Sequence, residues 1–222
     1  MVGGMIDVVR MLSRQLWVSI PATSKQDVEE KSAAMQLVLA FFIASKLHLR
    51  RETVDDEMKS LVSPKQFTEL QQISNMPLKL AEWIGAYVEN AHDCKQIIDT
   101  QLLAYNELID KMVEYLGSCE RILNTPIPIA YSVHLNHLLF LYCFAIPFQL
   151  VQDLGWWTIP ASGIISFALL GIEAIGIEIE NPFGYDVNDI PLDRLSEGLT
   201  IEINELVSFN LANELAEVNV NY

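Results

Sequence analysis

Apolar and polar positions follow two regimes along the 222 residues. From about Ile127 to Val151, and again from about Trp156 to Ile177, apolar side chains run almost unbroken. Elsewhere they recur at helical spacing among charges. Crossing ~30 Å of hydrocarbon takes ~20 mostly apolar residues at 1.5 Å each, so both runs are long enough to span a bilayer. Only Gln152 to Gly155 separates them. The pattern predicts a membrane helical hairpin, with Trp156 and Trp157 where an interfacial aromatic belt belongs. A soluble protein this short has too little remaining chain to bury both runs.

Upstream the pattern is helical. Ala33 to Leu49 is strongly apolar but flanked by Lys31 and Lys46 and followed by Arg50 and Arg51, which predicts a buried helix outside the membrane rather than a third span. Ser63-Pro64 opens a helix continuing through Gln66 to Ile73, proline being suited to a first helical turn. Pro77 opens another, with Leu80, Trp83, Ile84, Tyr87 and Val88 on one stripe. A long helix is expected from Cys94 to Leu116, with Gly117 as its C-cap. After the second run comes an acidic, turn-rich segment and then an amphipathic helix from about Asp193 to Phe209. The expected fold is all-α, in three parts: a helical region at 1–121, a transmembrane hairpin at 122–180, and a turn with a C-terminal helix at 181–222.

Charge sharpens this picture. The chain carries 14 Lys+Arg against 29 Asp+Glu, a net charge of −15, yet its mean hydropathy is +0.25. Such a pairing requires charged and apolar residues to be segregated. Thirteen of the 14 basic residues lie at or before Arg121, and none of Asp, Glu, Lys or Arg occurs from Ile122 to Gln152. An acidic chain without a basic cluster does not suit nucleic acid. Its expected partner is the lipid bilayer. A hairpin loop without Lys or Arg places that loop outside and both chain ends in the cytoplasm. No signal peptide is recognisable at the N-terminus, and the three cysteines share neither metal-ligand spacing nor an even count for a disulfide framework.

Polar residues within the spans are the candidate functional groups. His134 and His137 lie i, i+3 on one face of the first span, and Glu173 lies within the second. Intramembrane polar groups face a bundle interior or a wet path, and two histidines with a carboxylate also make a metal-ligand set. Beyond the span, Asn181, Pro182, Phe183 and Gly184 are followed by Asp186 and Asp189. This turn offers oxygen ligands to a hard cation but lacks the alternating acids of an EF-hand loop. Glu178 and Glu180 fall at the membrane boundary, where a solvated face accounts for them.

Two of these segments carry a resemblance. Arg121 with Thr125-Pro126-Ile127-Pro128-Ile129-Ala130-Tyr131, at the start of the first span, resembles the bestrophin signature that precedes a membrane helix. Asn181-Pro182-Phe183-Gly184 followed by Asn188-Asp189-Ile190-Pro191-Leu192-Asp193 resembles the segment after the next one, in the fungal and bacterial form of that family. More weakly, the likeness runs from about Gly3 to Phe209. It implies a pentameric channel with passive flow of chloride or other small anions and no catalysis. It also implies a cytosolic aperture near the start of the helix leading to Gly117. Counting back from Gly117 without gaps puts that aperture at Thr100, where a hydroxyl replaces the apolar side chain of many relatives. A polar ring dewets less readily and is a weaker barrier.

Two departures qualify the implied function. Animal bestrophins bind calcium through a continuous acidic cluster, whereas Tyr185-Asp186-Val187-Asn188-Asp189 is interrupted, so no cofactor is expected and calcium stays open. The family also has two membrane helices, one bearing an apolar neck, ahead of the point with which Met1 lines up. Three alternatives therefore stand beside an anion channel: a truncated, non-conducting or accessory membrane protein; a cation-conducting homologue, favoured by the acidic balance; and a membrane metalloenzyme built on His134, His137 and Glu173.

Overall fold

The computed structural model describes residues 1–220 apart from Thr23, Pro126, Ile127 and Glu180, with side chains described except at Ile129, Ile177 and 210–220. Among the described residues there are helices and turns but no strand. The chain divides into two compact units, one of 1–121 with 191–222 and one of 122–190. Residues 181–222, expected as one part, thus split after Ile190.

The first unit is organised on α2 (Lys25–Arg50), which packs against α1 (Val2–Ser19), α3 (Asp56–Leu61), α5 (Met76–Asp93) and α9 (Leu192–Val220). α2 starts well before the apolar stretch because Ser24 and Asp27 form a reciprocal capping box: Ser24 Oγ accepts from Asp27 N at 3.1 Å and Asp27 Oδ2 from Ser24 N at 2.9 Å. It stops at Arg51, whose φ is 59°. Its middle, from Val38 to Ala44, is buried. α2 is therefore the core helix its flanking lysines predict. α1 contributes Met5, Val9, Leu12 and Leu16 along one stripe. α4 (Pro64–Leu70) is capped by Ser63 with Gln66 and ends three residues short of Ile73.

α6 (Asp99–Asn124) differs most from expectation. It begins at Asp99 rather than Cys94, because α5 runs to Asp93 and the helix is ended by a turn in which Lys95 takes φ 60°. It also passes through Gly117, which is no C-cap. Leu116 and Cys119 are both buried, so the apolar stripe continues beyond the glycine and holds the helix together. α6 meets the unit through bulky side chains: Tyr105 Oη donates to the Gln15 carbonyl at 2.8 Å, and Glu120 lies 2.7 Å from His48 Nε2.

In the second unit α7 (Ile129–Leu154) and α8 (Thr158–Glu178) pack on each other. α7 continues through Leu154, so the reversal is not Gln152 to Gly155 but a 3₁₀ turn at Gly155–Trp157. Gly155 opens it at φ 47° and ψ −123°, a conformation that favours glycine. Pro147 lies within α7 and Pro160 in the first turn of α8, where a missing N–H is tolerated.

Candidate ion-conduction site

At 1.5 Å per residue, α7 and α8 rise about 39 and 31 Å, each enough for a bilayer core. α2 is comparably long and apolar. Burial separates them: Phe41 and Phe42 of α2 are 0% and 1% exposed, whereas Phe144 and Phe167 of the hairpin are 70% and 82% exposed. Leu138, Leu141, Phe148, Ile159, Ile164 and Ile172 are exposed as well. At roughly 25 cal/mol per Å² of apolar area, that surface is strongly unfavourable in water and at home among acyl chains. Trp156 and Trp157 stand exposed at the turn. Beside them an open apolar groove of about 510 Å³ is lined by Pro147, Phe148, Val151, Trp156, Thr158 and Ile159.

The intramembrane polar candidates do not converge. His134 and His137 are exposed on α7 and Glu173 is half-buried on α8. Among the described residues no three His, Cys, Asp or Glu side chains gather as a metal site, so the proposed ligand set of His134, His137 and Glu173 is not assembled. Antiparallel packing lays the C-terminal end of α8 beside the start of α7, but the three side chains do not meet at one point.

The turn after α8 is built inward. Asn181 Oδ1 accepts from Phe183 N at 3.4 Å, Ile190 N donates to the Pro182 carbonyl at 2.9 Å, and Phe183 is buried. Asp189 Oδ2 accepts from Asp186 N at 2.9 Å, and Asp189 N donates to the Asp186 carbonyl at 3.0 Å. Asn188 Nδ2 donates to Glu178 Oε1 at 3.0 Å, tying the turn to the end of α8. Asp186 and Asp189 thus shape the loop itself, one through its backbone and the other through its carboxylate. Pro126, Ile127 and Glu180 lie outside the described residues.

Thr100 is the second residue of α6 and is exposed. Next to it in the chain, Asp99 takes part in a cluster of charged side chains that spacing does not reveal. Asp99 Oδ1 lies 2.7 Å from Nε2 of His92, and Asp93 Oδ1 lies 4.0 Å from His92 Nδ1. Gln101 Oε1 accepts from Ile98 N at 3.0 Å, which caps the helix start. His92 and Asp99 are seven residues apart across an irregular connector, so no helical or strand period links them in sequence.

A family model described as Bacterial/Fungal Bestrophin protein matches residues 1–205. A voltage-dependent anion channel-forming protein of Nostoc sp. is 48% identical over 208 residues, covering 94% of this chain and 68% of that protein. One from Synechocystis sp. is 45% identical over 205 residues, covering 92% and 67%. The chain therefore spans about two thirds of these relatives' length. A crystal structure of a bacterial bestrophin homolog from Klebsiella pneumoniae superposes with a TM-score of 0.85 at 26% identity, covering 93% of this chain and 76% of that one.

Proposed function

Because the chain belongs to the bacterial and fungal bestrophin family, we infer that it is a subunit of a membrane channel through which chloride or other small anions flow passively, without catalysis. The observation that carries this reading is the exposed apolar surface of α7 and α8, set against the buried apolar surface of α2. A bilayer is the solvent that accounts for the first and not the second. The names of the Nostoc and Synechocystis relatives supply the ion class.

The channel is a self-assembly, which the family resemblance makes a pentamer. Thr100 at the start of α6 then stands on the conduction axis as a ring of hydroxyls. The turn at Gly155–Trp157 faces the outside and both ends face the cytoplasm, in keeping with a hairpin loop that carries no Lys or Arg. The test is a planar bilayer containing the purified chain between unequal KCl solutions. Reversal near the chloride equilibrium potential is expected. Reversal near the potassium potential would instead favour the cation-conducting reading, for which the net charge of −15 is the supporting observation. A membrane no more conductive than lipid alone would favour a non-conducting, accessory role.

A further inference from the structure

We propose that His92 and Asp99 form a proton-sensitive charge switch at the entrance of α6, and that protonation of His92 raises anion passage by cancelling the charge of Asp99. The switch rests on the reading of the α6 start as a conduction constriction. Asp99 immediately precedes Thr100, its side chain is 96% exposed, and its carboxylate lies 2.7 Å from His92 Nε2. Histidine is the side chain whose ordinary titration falls between pH 5 and 8. With a neutral imidazole the pair carries one negative charge; with an imidazolium it carries none.

Other charged groups near His92 do not reproduce this effect. On α5 these are Glu89, one turn back, and Asp93, whose Oδ1 is 4.0 Å from His92 Nδ1. Lys95 occupies the connector at φ 60°. On α2, which packs against α5, Asp27 and Glu30 line a small polar cavity with Asn90, Ala91 and Cys94. Of these groups, only Asp99 combines direct contact with His92 and a place on the helix that carries Thr100.

The pair need not be a strong one for the switch to work. Exposed ion pairs contribute roughly 0–1 kcal/mol to stability, but the charge of the ring changes with imidazole protonation whatever the pairing energy. In a fivefold assembly the Asp99–His92 ring passes from five negative charges to none. A fixed ring acts on ions within a Debye length, about 8 Å at physiological salt and about 3 Å at 1 M. The effect is therefore electrostatic, sign-selective for anions, and weakened by salt.

The experiment is chloride efflux from phosphatidylcholine–phosphatidylglycerol vesicles containing the full chain, from about pH 5.5 to about pH 8.5, which brackets imidazole titration. Wild type, His92→Gln, Asp99→Asn and Thr100→Leu are compared. Wild-type efflux is expected to rise at least about threefold toward low pH, and that rise is expected to flatten at about 1 M salt. Asp99→Asn is expected to have, already at high pH, the rate that wild type reaches at low pH, and to rise further as the pair passes from neutral to positive; His92→Gln is expected to keep the low, high-pH rate throughout. In parallel, the imidazole ¹⁵N resonances of His92 in the full chain in detergent are expected to differ between wild type and Asp99→Asn, because removing the carboxylate removes the 2.7 Å contact at Nε2. A Thr100-sensitive efflux whose pH profile is the same in all of wild type, His92→Gln and Asp99→Asn overturns the switch and leaves the constriction standing. Efflux indifferent to Thr100→Leu removes the constriction, and the switch with it. Identical ¹⁵N spectra overturn the pairing independently of any flux.

Discussion

Gly184 lies so close to Asp189 that a Cβ on the glycine would stand 2.8 Å from Asp189 Oδ2. That oxygen is the acceptor for Asp186 N, so the missing side chain keeps room for the hydrogen bond that closes the turn after α8. Gly184→Ala is expected to push the carboxylate aside and break the bond, destabilising the turn by about 1–3 kcal/mol. Limited proteolysis between Asn181 and Ile190 would report it as faster cleavage than in wild type. Cleavage at the wild-type rate would show that the turn has another way to close.

A second set of contacts anchors α9 on α2. Lys46, 7% exposed, places Nζ 2.9 Å from Glu57 and 3.4 Å from Asp193. Arg50 donates to both oxygens of Asp193, at 2.9 and 2.8 Å, and Ser196 Oγ donates to Glu57 at 3.1 Å. Lys46→Ala strips the shared cation from two carboxylates and is expected to cost about 1–3 kcal/mol. Breaking the exposed Arg10–Glu202 pair with Glu202→Gln is expected to cost under about 1 kcal/mol, although its two contacts are both 2.7 Å. Thermal midpoints of the two variants in one detergent check the ranking, and equal shifts would contradict it.

The same network sets an acid limit. Burial opposes the charge of Asp193, but Arg50 and Lys46 outweigh it and hold the carboxyl below its usual range. The hydrogen bond from Arg10, opposed by burial, likewise lowers Glu202. A carboxylate lowered in the folded state contributes stability that is fully present above its unfolded pKa, about 4, and that is lost as pH falls through the folded value. Stability of the α9 contacts is therefore expected to be flat from neutral pH down to about 5 and to fall below about 4. In Asp193→Asn that acid-side fall should shrink. A titration by near-UV circular dichroism would show whether it does.

These anchoring contacts were also the part of the protein least legible in its sequence. The hairpin and the core identity of α2 were visible because run length, flanking lysines and charge segregation are local properties. Caps were partly visible: Ser63-Pro64 announced α4, whereas Ser24 and Asp27 of the capping box lie nine and six residues before the apolar stretch they serve. Gly117 misled because glycine often ends helices, while the buried Cys119 that keeps α6 going is evident only once its partners are folded. Lys95 gave no warning of the break before α6, since a non-glycine residue adopts positive φ there. Lys46 and Asp193 are 147 positions apart, and only the fold joins them.

Thr100 gives the constriction its most direct test. A hydroxyl ring holds water, while a leucine ring of similar reach favours dewetting. Thr100→Leu is expected to lower chloride conductance about three- to tenfold, equivalent to a barrier increase on the order of 1 kcal/mol. Thr100→Ser should stay near wild type. Because Thr100 is exposed, neither change should move the thermal midpoint, which separates an effect on ions from an effect on folding. A leucine variant that conducts like wild type would place the narrow point elsewhere.

Membrane insertion makes the contrast between α2 and the hairpin measurable. Phe41 is fully buried, so Phe41→Ala is expected to destabilise the fold by about 3–5 kcal/mol through lost contacts and a residual cavity. Phe144 is 70% exposed, and Phe144→Ala should leave stability almost unchanged. Leu141→Arg, on the same exposed surface, places a charge in hydrocarbon, at about 2.5–3.5 kcal/mol by insertion scales, and should reduce membrane incorporation. Trp156 and Trp157 give an optical counterpart, since they stand at the hairpin turn while Trp17 is buried in the other unit. Brominated phospholipids quench indoles that touch acyl chains, so Trp156→Phe with Trp157→Phe should remove most of the quenchable emission and Trp17→Phe little of it. The reverse pattern would mean that the exposed apolar surface of α7 and α8 does not meet lipid at the turn.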